Sequence, residues 1–332
     1  MVQPQRIIVR APNWLGDHVM AFSFYEQLRR GFPKARLVCL LPEGLQGLIS
    51  NGLFDEEWAF KKSDFKNKNK VFNWIQKIQE QKFDLSYSLT ASWSSALLFY
   101  RAKILRRYGF SESGSGILLS QFIPWRGTES KLHKSDLFLE LLKMGSQESE
   151  KSDAAKRSTS PSLRVQESYW VIAPGAALPL REWPYFPELL FEIKKKYPNQ
   201  KIVVVGTSLE EAWISRLKRW KLKGVEDLIQ KTSLLQLRDL CSKAQLVIAN
   251  DSGVAHVAGT LAQAPTLVLF GPGTPDYIAP RGPSVHSLTP SSKVGCAPCE
   301  KAYCRSPWGY QKCLKEISVD TVLTKVEKIL SL

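Results

Sequence analysis

The chain is predicted to be α/β, with two domains, each built on a parallel sheet covered by helices on both faces. Three observations carry that expectation. Short β-branched runs alternate with helical stretches along the chain. Its 332 residues suit two domains of about 150 residues better than one core. The alternation breaks at a polar stretch, Gly145–Ser168, and then restarts.

Arg6–Arg10 (RIIVR) reads as a strand, followed by the loop Ala11–Asp17 and one helix reaching about Arg30. Pro12, Asn13 and Gly16 suit a tight, ligand-facing turn. Strands are expected at Arg36–Leu41, Asp84–Leu89 and Arg107–Phe110, and helices at Val71–Gln81 and Leu132–Met144. The linker is placed at 151–168, between an N-terminal domain of residues 1–150 and a C-terminal one of 169–332. After it come a strand at Tyr169–Ala173, a helix from about Pro187 to Lys196 and a strand at Lys201–Val205. A helix from about Glu210 and another at Ser233–Ser242 follow. Leu246–Ala249, a helix opening at Ser252-Gly253, and Thr266–Phe270 form a βαβ unit. A terminal helix, Val322–Leu330, is expected to pack back on the first domain.

Composition narrows the class. Hydrophobic residues make up 44% and aromatics 11%, which fits a globular enzyme, and no apolar run approaches the roughly 18–20 residues that span a bilayer. The N-terminus lacks the layout of a signal peptide, so cytoplasmic residence is expected. A net charge of +15 attracts nucleic acid, anionic membrane or phosphorylated substrates. Lys61, Lys62, Lys66, Lys68 and Lys70 lie among Trp58, Phe60, Phe65, Phe72 and Trp74. That pattern reads either as a headgroup-binding surface or as a solvated face beside core aromatics. Arg101, Lys103, Arg106 and Arg107 form a second basic group.

In the second domain, loops at strand ends bring Arg181, Gly206-Thr207-Ser208 with Glu210, and Asp251-Ser252-Gly253 with His256. A cation and backbone N–H donors suit a pyrophosphate, and a carboxylate suits ribose hydroxyls. There is no G-x-G-x-x-G and no Walker A sequence. In the first domain Asp17 is placed to take a proton from a hydroxyl, or simply to cap its helix. His256 reads equally as a satisfied polar residue.

Four segments carry a family resemblance: Asn13-Trp14-Leu15-Gly16-Asp17, Pro174-Gly175-Ala176 leading to Arg181-Glu182-Trp183-Pro184, Asn250-Asp251-Ser252-Gly253-Val254-Ala255-His256, and Phe270-Gly271-Pro272. In this order, across nearly the whole chain, they resemble the ADP-heptose:lipopolysaccharide heptosyltransferases. The Pro-Asn-Trp-Leu-Gly-Asp form is most similar to the branch that adds the second inner-core heptose. The resemblance implies a GT-B fold, two Rossmann-like domains with parallel sheets facing a central cleft, the donor held by the second domain and the acceptor by the first. It implies inverting transfer of heptose from ADP-heptose to heptosyl-Kdo2-lipid A without metal or cofactor, with Asp17 as base. The implied donor site is Arg181, Gly206, Thr207, Glu210, Thr232, Asp251, Ser252, Gly253 and His256, with Glu211 as alternative to Glu210. Arg181 stands where the family usually has lysine, which keeps the charge but changes its geometry. The implied acceptor contacts are Asn13, Trp14, Gly16, Lys62 and Arg107. A monomer at the inner face of the inner membrane, bound peripherally to its anionic surface and to no nucleic acid, is the expected context.

Cys39 and Cys241 lie in apolar surroundings and read as buried thiols. Cys296, Cys299, Cys304 and Cys313 are closely spaced and can either hold a structural metal or pack as reduced thiols, since the transfer itself needs none. Two other functions compete: a different nucleotide-sugar transferase or epimerase on the same fold, and a basic nucleic-acid-binding protein. The second leaves Asp17, Arg181 and Asp251 without a purpose.

Overall fold

The computed structural model describes residues 4–49, 52–125, 132–145, 167–207, 215, 219–220, 222–290 and 294–331. The chain divides into two compact units, residues 1–159 and 160–332. Each holds a six-stranded sheet whose paired strands are all parallel.

In the first unit the strands are β1 (Arg6–Arg10), β2 (Arg36–Pro42), β3 (Glu56–Phe60), β4 (Leu85–Ser88), β5 (Arg106–Ser111) and β6 (Gln121–Pro124). Their order is β3-β2-β1-β4-β5-β6, the doubly wound arrangement. The expected single helix after β1 is two, α1 (Leu15–Met20) and α2 (Phe22–Gly31), joined at buried Ala21. The other helices are α3 (Lys68–Glu80), α4 (Trp93–Arg101) and α5 (Lys134–Gly145). Ile8, Val38 and Leu40 of the central strands pack on Ile75 and Ile78 of α3 and Phe99 of α4. Trp58 and Phe60 belong to this core, so the aromatics beside the lysine cluster are mostly structural; Phe72 is exposed.

In the second unit the strands are β7 (Glu167–Ala173), β8 (Lys201–Val204), β9 (Val225–Asp227), β10 (Ala244–Asn250), β11 (Thr266–Leu269) and β12 (Val285–Leu288). The order β12-β11-β10-β7-β8-β9 repeats that of the first unit. Helices α6 (Phe186–Lys196), α7 (Leu234–Lys243), α8 (Gly253–His256), α9 (Pro275–Ile278), α10 (Lys312–Lys315) and α11 (Val319–Leu330) follow, and a π turn at Val257–Leu261 continues α8. Ile172, Ile248 and Leu269 of the sheet pack with Phe186 and Ile193 of α6 and Val322 and Val326 of α11. Each such buried side chain contributes about 1.5–3 kcal/mol. The terminal helix α11 is thus built into this second core. The linker expectation needs trimming at its end. Gly145 closes α5 and Glu167–Ser168 open β7; the whole stretch between them, 146–166, lies outside the described residues.

Both sheets have a switch point, between β1 and β4 and between β7 and β10, where successive loops leave in opposite directions. Ligands of doubly wound sheets bind there, beyond the carboxyl ends of the strands. Among the described residues, no helix is long and apolar enough to cross a membrane.

Candidate active site

In the second unit the loops after β7 and β10 meet at the switch point. Asn250 ends β10 fully buried, and its side chain ties the two loops together. Its Nδ2 donates to Pro174 O at 2.6 Å, and its Oδ1 accepts from Trp183 N at 2.9 Å. The next residue, Asp251, is 4% exposed, and its Oδ2 lies 2.7 Å from Arg181 Nη1. The Arg181 fork reaches a second carboxylate, with Nη2 donating to Glu300 Oε2 at 3.2 Å. Glu300 in turn accepts from Thr274 N at 2.5 Å. A Cβ at Gly273 would collide with the Asp251 carboxylate, so the chain needs glycine where the loop after β11 passes the pair.

Two buried donors here have no partner among the described residues: Arg181 Nε and Ser252 Oγ. Ser252 precedes α8, yet its hydroxyl makes no capping hydrogen bond. The helix-cap reading of this segment therefore does not account for its side chains, whereas a polar ligand would. Gly253 opens α8, and His256 ends it, 3% exposed. Gly206 and Thr207 lie just past the end of β8, half-buried and exposed. Thr232 lines a cavity of about 880 Å³ with Tyr169, Lys201, Leu235 and Asp239. Ser208, Glu210 and Glu211 lie outside the described residues.

In the first unit Asp17 is the third residue of α1, whose cap position is held by Trp14. It therefore does not fill the cap role. Its Oδ1 pairs with Lys134 Nζ, from the start of α5, at 2.9 Å. The loop before it is held from beneath by Arg10. That buried guanidinium lies 4.2 Å from the Phe60 ring centre and bonds Ala11 O and Asn13 Oδ1. Burial lowers its pKa to about 10, so it stays charged at neutral pH. Trp14, 55% exposed, carries Lys62 Nζ at 4.5 Å over its ring, and Asn13 is exposed beside it. Gly16 is half-buried. His18, adjacent to Asp17, is buried with Nδ1 3.0 Å from Tyr25 Oη, and burial lowers its pKa to about 4. It is neutral at pH 7.

Arg107 gives part of its guanidinium to backbone carbonyls. It sits near the start of β5, with Nε donating to Leu118 O at 2.7 Å and Nη1 to Ile104 O and Leu105 O. Those donors brace the entry to a strand, and burial lowers the guanidinium's pKa.

Several residues of this geometry carried no signal in the sequence. Lys134 and Glu300 lie far along the chain from their partners. Arg10 reads as an ordinary strand end. After β4, Ser88, Thr90, Ser92 and Ser95 form a hydroxyl network at the first switch point, with Thr90 Oγ1 donating to Ser95 Oγ at 2.9 Å.

Cys39 and Cys241 are buried, as expected, and burial raises both thiols. Cys296, Cys299, Cys304 and Cys313 are free thiols that line one cavity of about 40 Å³. Among the described residues, no three His, Cys, Asp or Glu side chains form a metal-ligating group.

Comparison with known proteins agrees with this architecture. The model of the family described as glycosyltransferase family 9 (heptosyltransferase) matches residues 71–308. Lipopolysaccharide heptosyltransferase 2 of Escherichia coli (strain K12) is 24% identical over 358 residues, covering 98% of this chain and 98% of the relative. Lipooligosaccharide heptosyltransferase 2 of Haemophilus ducreyi is 21% identical, covering 98% and 99%. Among solved structures, the family 9 glycosyl transferase of Veillonella parvula superposes with a TM-score of 0.82 at 20% identity, over 100% of this chain and 99% of that one. The E. coli ADP-heptose heptosyltransferase II does so at 0.75 and 20% identity, over 98% of each. These likenesses match the two Rossmann-like units of the GT-B fold. The chain belongs to glycosyltransferase family 9, the heptosyltransferase family, and is a glycosyltransferase.

Proposed function

We propose that this enzyme transfers L-glycero-D-manno-heptose from ADP-heptose to heptosyl-Kdo2-lipid A of the lipopolysaccharide inner core, with inversion and without a catalytic metal. The observation that carries the donor half is the Arg181–Asp251 pair at the β7/β10 switch point, beside the unpartnered Arg181 Nε and Ser252 Oγ. Donor binding exchanges the carboxylate partners of Arg181 for diphosphate oxygens, which a guanidinium fork matches with two parallel hydrogen bonds. Asp251 then accepts from sugar hydroxyls, and Ser252 Oγ donates to a phosphate.

In the chemical step the acceptor hydroxyl attacks the anomeric carbon. Its proton passes to Asp17, the bond from that carbon to the phosphate oxygen breaks, and ADP leaves with the electron pair. Arg181 offsets the charge that develops on the leaving group. Lys134 aims the Asp17 carboxylate. Trp14 and Lys62 offer an aromatic face and a cation to the acceptor's sugars and phosphates. The remaining lysines, with the net charge of +15, draw the protein to an anionic leaflet as a peripheral monomer on the inner face of the inner membrane.

The test is incubation with ADP-heptose and heptosyl-Kdo2-lipid A in chelator-treated buffer, following ADP release, acceptor mass and the anomeric configuration of the product. One added heptose with inverted configuration supports the reading. ADP binding without transfer would point to another acceptor, and absence of ADP binding would remove the donor assignment.

A further inference from the structure

The segment from Val294 to Tyr310, between β12 and α10, contains no helix or strand, and none of its residues is buried. A stretch of that length needs something other than apolar packing to hold one conformation. Val294 and Ala297 pack on the second core, and Glu300 binds Arg181 and Thr274 N. Cys299 N and Glu300 N both donate to Pro272 O at 2.9 Å, and Gln311 Nε2, at its far end, donates to Pro179 O at 2.7 Å and to Glu182 O at 3.1 Å.

Into one cavity of about 40 Å³ at its centre face Cys296, Cys299 and Cys304 from the segment and Cys313 from α10. All four are free thiols. A cavity of that size is large enough for one ion, since a single water needs roughly 10–15 Å³ on this measure. The rim carries Lys301, Arg305 and Lys312, and Gln311 N donates to Cys304 Sγ at 3.4 Å. Cations and N–H···S bonds are what a cluster of thiolates requires.

We infer that Cys296, Cys299, Cys304 and Cys313 form a tetrathiolate site for one soft divalent ion, zinc or ferrous iron, which staples this segment to α10. The four residues line the cavity, but in this structure they do not form a metal-ligating group. The ion requires cysteine χ1 turns between staggered wells, each moving a sulfur by about 3 Å, that bring all four to a metal–sulfur distance of about 2.3 Å. Binding releases the thiol protons to solvent and leaves a net charge of −2 on the complex, facing the three rim cations. Cys299 adjoins Glu300, the residue that holds Arg181 and Thr274 N. The ion therefore fixes the loop beside the proposed donor site, while taking no part in transfer. The site stands independently of the donor assignment.

The test uses the full chain, made without a histidine tag in zinc-supplemented medium and purified under reductant. Elemental analysis should give one zinc or iron per chain. After removal with a mercurial and chelator, cobalt titration should saturate at one equivalent, with thiolate-to-cobalt charge transfer and the intense visible bands of a tetrahedral site. Cys299→Ser should lose the ion, and Cys241→Ser, buried elsewhere, should keep it. Metal-free protein with no cobalt band, or Cys299→Ser retaining a full equivalent, would overturn the proposal. If Cys299→Ser does not fold, the wild-type cobalt spectrum decides alone. Loss of transfer with metal retained would count against the functional reading, not against this site.

Discussion

Lys134 Nζ lies 2.9 Å from Asp17 Oδ1, joining the first turn of α5 to the first turn of α1. The side chains are 14% and 23% exposed, and the Trp125 ring lies 5.3 Å from the ammonium. The pair is sheltered enough to fix the carboxylate's direction and open enough for a substrate to reach it.

Removing the ammonium while keeping the stem, as in Lys134→Met, should lower kcat by about 10–100-fold, the scale of a misaimed reacting group. ADP affinity should stay unchanged, and Lys134→Arg should recover part of the rate. Steady-state kinetics with paired ADP titrations would check this. An unchanged kcat in Lys134→Met would show that Asp17 needs no such support.

Arg181→Ala should act on both stability and donor affinity, because it strands the carboxylate of Asp251 in a buried position. Breaking a buried pair on one side costs about 3–5 kcal/mol, and the lower part of that range applies because Arg181 is itself 20% exposed. Arg181→Lys should fold nearly as well but bind ADP more weakly, since an ammonium cannot offer the fork. Melting temperatures and ADP calorimetry of the two variants separate the effects.

Gly273→Ala should weaken ADP-heptose binding with little change in affinity for acceptor. The added methyl displaces the Asp251 carboxylate, and with it Arg181. A variant with wild-type donor affinity would mean that Asp251 does not touch the donor.

His18 gives a pH signature unrelated to catalysis. Its folded pKa of about 4 lies below the unfolded value of about 6.5, so the unfolded chain binds the extra proton first as pH falls. Stability should therefore drop as pH goes from about 6.5 to 4, by up to about 3 kcal/mol from this group. Denaturant titrations should show that slope reduced in His18→Gln. An equal slope in both proteins would place the acid sensitivity elsewhere.

How much of this was legible in the sequence depended on position in the sheet. The central strands β1, β2, β7, β8, β10 and β11, buried on both faces, appear as apolar runs. The four strands that sequence reading omits, β3, β6, β9 and β12, are the four sheet edges. Edge strands need only partial burial and carry polar or proline residues, as in Glu56-Glu57 of β3 and Pro124 of β6, so the apolar run is lost.

The candidate site divides along similar lines. Arg181, Asp251 and Asp17 stand out because charged residues at strand-to-helix turns are conspicuous. Lys134 and Glu300 do not, because only the folded chain brings them to Asp17 and Arg181. Arg107 is a related case: a basic residue in a basic cluster gives no sign that backbone carbonyls engage its Nε and Nη1.

The central claim rests on Asp17 as the group that accepts the acceptor's proton. The most direct measurement compares wild type with Asp17→Asn, which keeps the side chain's shape but not its basicity, in a transfer assay run beside an ADP titration. The account predicts that transfer falls by about 10²–10⁴-fold while ADP affinity stays within experimental error. Transfer at a near wild-type rate in Asp17→Asn would contradict it, and the base would have to be sought elsewhere in the chain.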